Sequence, residues 1–533
     1  MTANIACRLT EQARERGRSD AVIDSRTGQR WTFAELDQDS DRLARGFRTL
    51  GAGPGTRIAL MVPPGFPFFS LTFAIFKLGA VPVLIDPGMG ARGLGQCLSE
   101  AAPAVFIGSA KAHVARTVLG WLRGAGVEFV QLGRWPGFGS SLATIRNRGG
   151  EGPPVLADAG ENDPAAILYT SGSTGPAKGA LYTHGMFHEQ VRVLREELGI
   201  AAGEIDLCTF PLFALFGPAL GMTSIVPDMD PTRPAKADPK KLVAAITRYQ
   251  VTNLFGSPAL VNTLSRYGEA VRLRLPTLRR VLSAGAPVSA AVIGRMAALL
   301  TPGARVFTPY GATECLPVTI IDDREILGET AHATDAGAGV CVGRPVGRIE
   351  VRVIPASHEP TDALPAALQA NQRGEITVAG PVVSASYWKR PDADRQHKIV
   401  HEGRVWHRTG DVGYFDTSGR LWFCGRKAHR VTTSDGTILD TIPTEAVFNT
   451  HPQVFRSALV GVRGRPVICV ELERGAWASD TLVAELKSIA ARHDHTRLID
   501  QFLVYPGPFP VDIRHNAKIF REKLAVWASG RIP

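Results

Sequence analysis

The run Tyr169-Thr170-Ser171-Gly172-Ser173-Thr174-Gly175-Pro176-Ala177-Lys178-Gly179 constrains this chain more than any other stretch. It follows the apolar segment Ala165 to Leu168 and precedes Ala180-Leu181-Tyr182-Thr183-His184, an order that reads as strand, phosphate cradle, then helix. Glycines let the backbone come close to a polyphosphate. The hydroxyls of Thr170, Ser171, Ser173 and Thr174 can donate to its oxygens, and Lys178 adds a mobile positive charge. No Gly-Lys-Ser/Thr closes the run, so it is not the loop of kinases and motor ATPases. A Ser/Gly-rich surface linker is the competing reading, but linkers seldom set such ordered donors directly behind a strand.

A chain of 533 residues, 44% hydrophobic and 21% charged, can bury a large core and is long enough for several compact units. Its seven cysteines are an odd number without a Cys-x-x-Cys pair, which suits a reducing cytoplasm better than a disulfide framework or a zinc site. The net charge of +10 would serve nucleic acid or an anionic membrane, yet the Lys and Arg residues are spread without a block, as on a solvated basic surface. No nucleic-acid partner is expected. Residues 1–20 lack the apolar core of a secretory signal. The best membrane-span candidate, Phe66 to Ile85, is interrupted by Lys77, Gly79 and two prolines, and reads as a buried helix followed by a strand from Ala80 to Ile85.

Thr32-Phe33-Ala34-Glu35 has the spacing of a capping box, and Leu36, Leu43, Phe47 and Leu50 continue a helical stripe that stops at Gly51. Apolar runs at 57–62, 104–107 and 127–132 alternate with helical segments, the rhythm of a parallel sheet covered by helices. Residues 133–163, rich in Gly and Pro, read as a long connection. Further on, Val281 to Ser283 is a strand ending in the tight turn Ala284-Gly285-Ala286-Pro287. Tyr310-Gly311-Ala312-Thr313-Glu314 forms a second such unit, and His407-Arg408-Thr409-Gly410-Asp411 precedes Leu421 to Arg426.

In this order and at these intervals, the motifs resemble those of the adenylate-forming superfamily: acyl-CoA ligases, peptide-synthetase adenylation domains, luciferases and their relatives. The resemblance spans roughly residues 30 to 525. It implies an α/β fold with a large N-terminal domain of β-sheets layered with helices, residues 1–426, and a small mobile C-terminal α+β domain, residues 427–533. It further implies that Gly285, Ala286 and Pro287 hold the adenine edge, with Tyr310 on the ring face beside Gly311 and Ala312. Thr313 then reaches the phosphate, Glu314 offers magnesium a hard oxygen, and Asp411 accepts the ribose hydroxyls beside Arg426. Gly172 and Gly175 belong to the phosphate loop, and Thr174 and Glu314 join Lys518 as catalytic groups. Cofactors so implied are ATP and Mg²⁺. Phe213 and Phe216, in the aromatic run 208–218, fall where the superfamily lines its acyl pocket, and Gly285 is implied to bind substrate with them. Plain core packing is the alternative there.

Two regions depart from the CoA-ligase pattern. The hinge position holds Ala428, and Gly425 to Glu445 is about three residues longer than usual in the loop that borders the pantetheine channel. At the other end, Asn516-Ala517 stands before Lys518 in place of Ser-Gly. Together with Ile85 to Gly90, Phe210 to Gly217 and Asp512 to Leu524, these features resemble the olefin-biosynthesis branch, the OleC-type β-lactone synthetases. That resemblance implies a long-chain 2-alkyl-3-hydroxy acid substrate and ATP-dependent closure of a β-lactone with release of AMP and pyrophosphate. It also implies a cytoplasmic enzyme in complex with other olefin-biosynthesis enzymes. A fatty acyl-CoA ligase and a nucleotide-binding subunit without chemistry are the competing readings. Whether the carboxylate or the hydroxyl is adenylated stays open at this point.

Overall fold

The computed structural model describes residues 2–170, 177–210, 215–512 and 518–532, and the backbone alone of Thr170. Among them, the first 7-stranded sheet runs in the order Ser140–Ser141, Glu128–Gln131, Val105–Gly108, Arg57–Met61, Val81–Ile85, Pro164–Thr170 and Lys178–Thr183. All its pairs are parallel except the last. A second 7-stranded sheet runs from Arg305–Phe307 through Arg280–Ser283, Asn253–Gly256, Ile205–Cys208, Thr223–Val226 and Asp20–Asp24 to Arg30–Thr32. Here too only the edge pair is antiparallel. The expected helix-covered parallel sheet is therefore present twice.

The helix Phe66–Lys77 is buried from Phe68 through Lys77 because its residues share one apolar cluster with Ile58 and Leu60 of the first sheet and Val22 and Leu282 of the second. This helix and the strand Val81–Ile85 are those expected from the apolar run. Lys77, 1% exposed, ends the helix against the neighbouring Phe33–Arg48 helix, bonding Asp37 and Asp41 at 2.7 Å each. The capping box of that neighbour forms as read: Thr32 Oγ1 accepts from the Glu35 amide, and Glu35 accepts from the Thr32 amide.

Two expectations need correction. Residues 133–163 are not a bare connection, because Ser141 caps a helix, Leu142–Gly149, that packs on Phe33–Arg48. A Cβ on Gly149 would overlap the Arg42 carbonyl, so glycine there lets the two backbones meet. Nor does a helix follow the phosphate-loop run directly. Lys178–Thr183 is a strand paired antiparallel to Pro164–Thr170, and the helix His184–Leu198 begins only after Thr183 caps it. The segment folds back because Ala180 and Tyr182 bury one face beside the apolar strand.

A third, 8-stranded sheet of antiparallel pairs carries Tyr310–Ala312, Cys315–Ile320, Leu421–Arg426 and Arg404–Phe415, and went unforeseen in the sequence. Beyond it lies a small α+β domain. Its sheet Val454–Val462, Arg465–Leu472 and Gln501–Val504 buries Leu459, Ile468 and Val470 against one helical layer and Ala458, Val460 and Cys469 against another. The segment after Lys427–His429 forms a hairpin, Val431–Thr432 with Ile438–Leu439. All seven cysteines are free thiols, and no described helix is long and apolar enough to cross a membrane.

Candidate active site

The edges of the three large sheets and the small domain enclose one cavity of about 2240 Å³. Lys178 enters it from the phosphate-loop hairpin, and Gly285, Ala286 and Pro287 enter from the turn after Arg280–Ser283. Gly285 has φ 99°, a conformation open to glycine, which lets the backbone turn its edge toward the space. Tyr310, Gly311, Ala312, Thr313 and Glu314 line the cavity, as do Asp411, Arg426 and Lys518. Residues from 178 to 518 thus face a single space. Thr170 ends its strand opposite Lys178. Ser171, Gly172, Ser173, Thr174, Gly175 and Phe213 lie outside the described residues.

The third sheet fixes the Asp411 carboxylate. Asp411 and Arg426 are directly paired across neighbouring strands, and Arg426 Nε lies 3.0 Å from Asp411 Oδ1. Tyr310 donates its hydroxyl to Asp411 Oδ2 at 2.7 Å. Burial raises the Asp411 pKa, while Arg426 and the Tyr310 hydrogen bond oppose that rise. The charge of Lys518 also favours the ionised form. Tyr310, partly buried and facing that carboxylate, is pushed well above the usual phenol range, by desolvation first and then by Asp411.

Glu314 accepts the Tyr387 hydroxyl at 2.6 Å. Burial works against its charge, but the Tyr387 bond and the nearby cations Lys398 and Arg426 outweigh it and hold the carboxyl below its ordinary value. Among the described residues, no group of three or more His, Cys, Asp or Glu stands together as a metal cage. A single carboxylate is the usual protein share for Mg²⁺ bound chiefly to substrate phosphates and water, so the donor set at Glu314 fits that ion. The Thr313 carbonyl accepts the Tyr182 hydroxyl, tying this turn to the phosphate-loop hairpin.

Lys518 arrives from the small domain. Its amide donates to Asp512 Oδ1 at 2.9 Å, and its carbonyl accepts the Asp512 amide at 3.0 Å. Just beyond, Arg521 grips both Glu445 oxygens at 2.8 Å, while Glu445 also accepts the Leu459 amide. These bonds clamp both sides of the segment that carries the lysine. The cavity lining also includes Phe76, Leu84, Leu168, Phe187, Leu194 and Phe216, which belong to or pack against one apolar cluster. Phe216 packs on Phe187 with ring centroids 5.9 Å apart.

Sequence reasoning missed the groups behind Lys178. Residues 386–390 run beside the Lys178–Thr183 strand: the Leu181 amide donates to the Ser386 carbonyl at 3.2 Å and the Trp388 amide to that of Gly179 at 2.8 Å. Arg390 then donates to Glu100 at 2.6 Å and to the Ala177 carbonyl at 3.3 Å. Tyr387, His397, Lys398 and His407 pack around Glu314 and Lys178. Of these, His407 alone had a local signal, since it opens the motif ending at Asp411.

A cavity bounded by the edges of three sheets, lined by a lysine from the phosphate-loop hairpin and by another from the small domain, suits an adenylate-forming enzyme. The chain belongs to the AMP-binding enzyme family, whose profile matches residues 9–388. It is 50% identical to an olefin beta-lactone synthetase of Stenotrophomonas maltophilia strain K279a over 99% of this chain and 98% of that protein. A second olefin beta-lactone synthetase, from Xanthomonas campestris pv. campestris, is 50% identical over 93% of this chain and 91% of its own length. Among solved structures, the amide bond synthetase McbA of Marinactinospora thermotolerans superposes with a TM-score of 0.82 at 21% identity, covering 99% of each chain. That likeness establishes the large N-terminal and small C-terminal domain architecture.

Proposed function

We propose that the protein is an ATP-dependent β-lactone synthetase of olefin biosynthesis, acting on a long-chain 2-alkyl-3-hydroxy acid. The observation that carries this reading is 50% identity, sustained over 99% of the chain, to an enzyme of that name. The apolar lining contributed by Phe187, Leu194 and Phe216 is suited to an alkyl chain, which supports an aliphatic acid. Seven free thiols support a cytoplasmic setting, where the enzyme would work in complex with other olefin-biosynthesis enzymes. The mobile domain is taken to begin at Lys427, whose ammonium is bound to Glu375 at 2.8 Å across the boundary, with Ala428 as the hinge.

A carboxylate oxygen is a poor leaving group. Attack on the α-phosphorus of ATP expels pyrophosphate and leaves an acyl adenylate. The β-hydroxyl oxygen of the same molecule then attacks the acyl carbon, the C–O bond to AMP breaks, and the hydroxyl proton departs. Intramolecular delivery supplies the effective concentration that closes the four-membered ring. In this scheme Gly285, Ala286, Pro287 and Tyr310 hold the adenine, and Asp411, oriented by Tyr310 and Arg426, accepts the ribose hydroxyls. Ser171, Ser173, Thr174 and Lys178 hold the phosphates, and Lys518 balances charge on the phosphorus oxygens. Glu314 would hold Mg²⁺, which when bound neutralises phosphate charge.

The test is incubation with Mg-ATP and a synthetic 2-alkyl-3-hydroxy acid, with and without coenzyme A, followed by mass spectrometry. Lactone and AMP without coenzyme A are expected. A strictly coenzyme-dependent thioester would make the protein an acyl-CoA ligase instead. Carboxyl oxygen-18 should appear in AMP; label arriving there from the β-hydroxyl would mean that the hydroxyl is adenylated and the carboxylate displaces it.

A further inference from the structure

Lys178 was expected to be a mobile charge, but in the folded chain it is held. Its Nζ lies 2.7 Å from His397 Nε2 and 5.3 Å from the centroid of the Tyr387 ring. His397 is the last residue of the helix Pro391–His397, and nothing in the phosphate-loop motif anticipates it. Its other nitrogen, Nδ1, lies 3.3 Å from the Arg408 carbonyl oxygen. A carbonyl can only accept, so Nδ1 carries the ring proton, and Nε2 is left with a lone pair facing the ammonium. The imidazole is thereby set as an acceptor by one backbone atom of the third sheet.

We propose that His397 is a positioning residue whose Nε2 lone pair holds the Lys178 ammonium toward the polyphosphate of ATP. This rests on the reading that Lys178 meets the phosphates. Two features make histidine apt for the task. It accepts a hydrogen bond without carrying negative charge, so the lysine keeps its full charge for the ligand, whereas a carboxylate would neutralise it. Burial, together with the charge of Lys178, also pushes the imidazole down to about 4, so the acceptor persists across the physiological range. The adjacent Lys398 serves the opposite partner. It packs at 5.1 Å from the same Tyr387 ring, donates to the Ser384 carbonyl, and supplies positive charge to Glu314. One two-residue step from helix to strand therefore braces both the phosphate-loop lysine and the carboxylate opposite it.

The two nitrogens can be separated by substitution. His397→Asn keeps a polar atom near the Nδ1 position and loses the acceptor at Nε2, whereas His397→Gln places an amide oxygen near Nε2 and gives up the contact with Arg408. Calorimetric Kd for ATP, which needs no acid substrate, and the separate KM values for ATP and acid are the readouts, with Lys178→Ala alongside. His397→Asn is expected to weaken ATP binding about tenfold with the acid KM unchanged, and His397→Gln to restore most of it. Combining His397→Asn with Lys178→Ala is expected to cost little more than Lys178→Ala alone. Gln worse than Asn, additive losses, or a shift confined to the acid KM would overturn the proposal in favour of a packing role. If Lys178→Ala itself leaves ATP binding intact, the phosphate role of Lys178 fails, and the His397 proposal fails with it. A protein that binds ATP as expected yet forms no lactone would overturn only the proposed reaction.

Discussion

Tyr310 has two separable parts, a ring beside the turn and a hydroxyl bonded to Asp411 at 2.7 Å. Tyr310→Phe keeps the ring and strips the donor from a buried carboxylate, so it is expected to weaken ATP binding about tenfold while leaving the acid KM alone. Unchanged ATP affinity in a binding titration would mean that Asp411 needs no such support. Lys518→Ala should slow AMP release on the order of a hundredfold with little effect on ATP Kd. Near wild-type turnover would remove Lys518 from the chemistry. That Asp411 and Lys518 line one cavity was legible because each sits in a contiguous motif. His397 was not, since its partner Lys178 lies 219 positions away and only the pairing of residues 386–390 with the phosphate-loop hairpin joins them.

At the scale of elements, the hairpin Pro164–Thr170/Lys178–Thr183 depends on a glycine facing an aromatic ring. A Cβ on Gly179 would lie 2.7 Å from Tyr169 Cζ and 2.8 Å from Ile167 Cγ2. Gly179→Ala is therefore expected to cost about 1–3 kcal/mol of stability and to loosen ATP binding by shifting Lys178. An unaltered melting curve would contradict this. The same hairpin was misread as strand, loop and helix because its return strand, Lys178–Thr183, is short and opens on Lys-Gly-Ala, residues with little strand preference. Lys77 gave the opposite lesson. The charge that argued against a membrane span turns out to be the anchor between two helices, bonding Asp37 and Asp41 within the core. Lys77→Ala would leave the buried Asp41 and the partly buried Asp37 without their cation and is expected to destabilise the fold by about 3 kcal/mol, measurable by denaturant titration.

Across the whole molecule, histidines wholly or partly shielded from water make stability depend on pH. His184, His397 and His429 each titrate near 6.5 when unfolded but are pushed down to about 4 in the fold, by burial first and then by His188, Lys178 and Arg521 respectively. Between those values the unfolded chain binds more protons. Stability from these groups is thus complete above pH 6.5 and is lost as pH falls toward 4, on the order of 3 kcal/mol per residue. A drop in melting temperature of roughly 5–10 °C between pH 7 and 4.5 is expected, and a flat profile would contradict it. The parallel sheets were legible from alternating apolar runs. The antiparallel third sheet was not, because its pairings join strands as far apart as Val340–Pro345 and Leu421–Arg426. With one cavity lined from such scattered stretches, a nucleotide bound there would be a bolt through the molecule. By mass action, a nonhydrolysable ATP analogue should slow amide exchange together in the turn at 284–287, the 404–415 strand and the segment before Arg521, regions that share no stretch of chain.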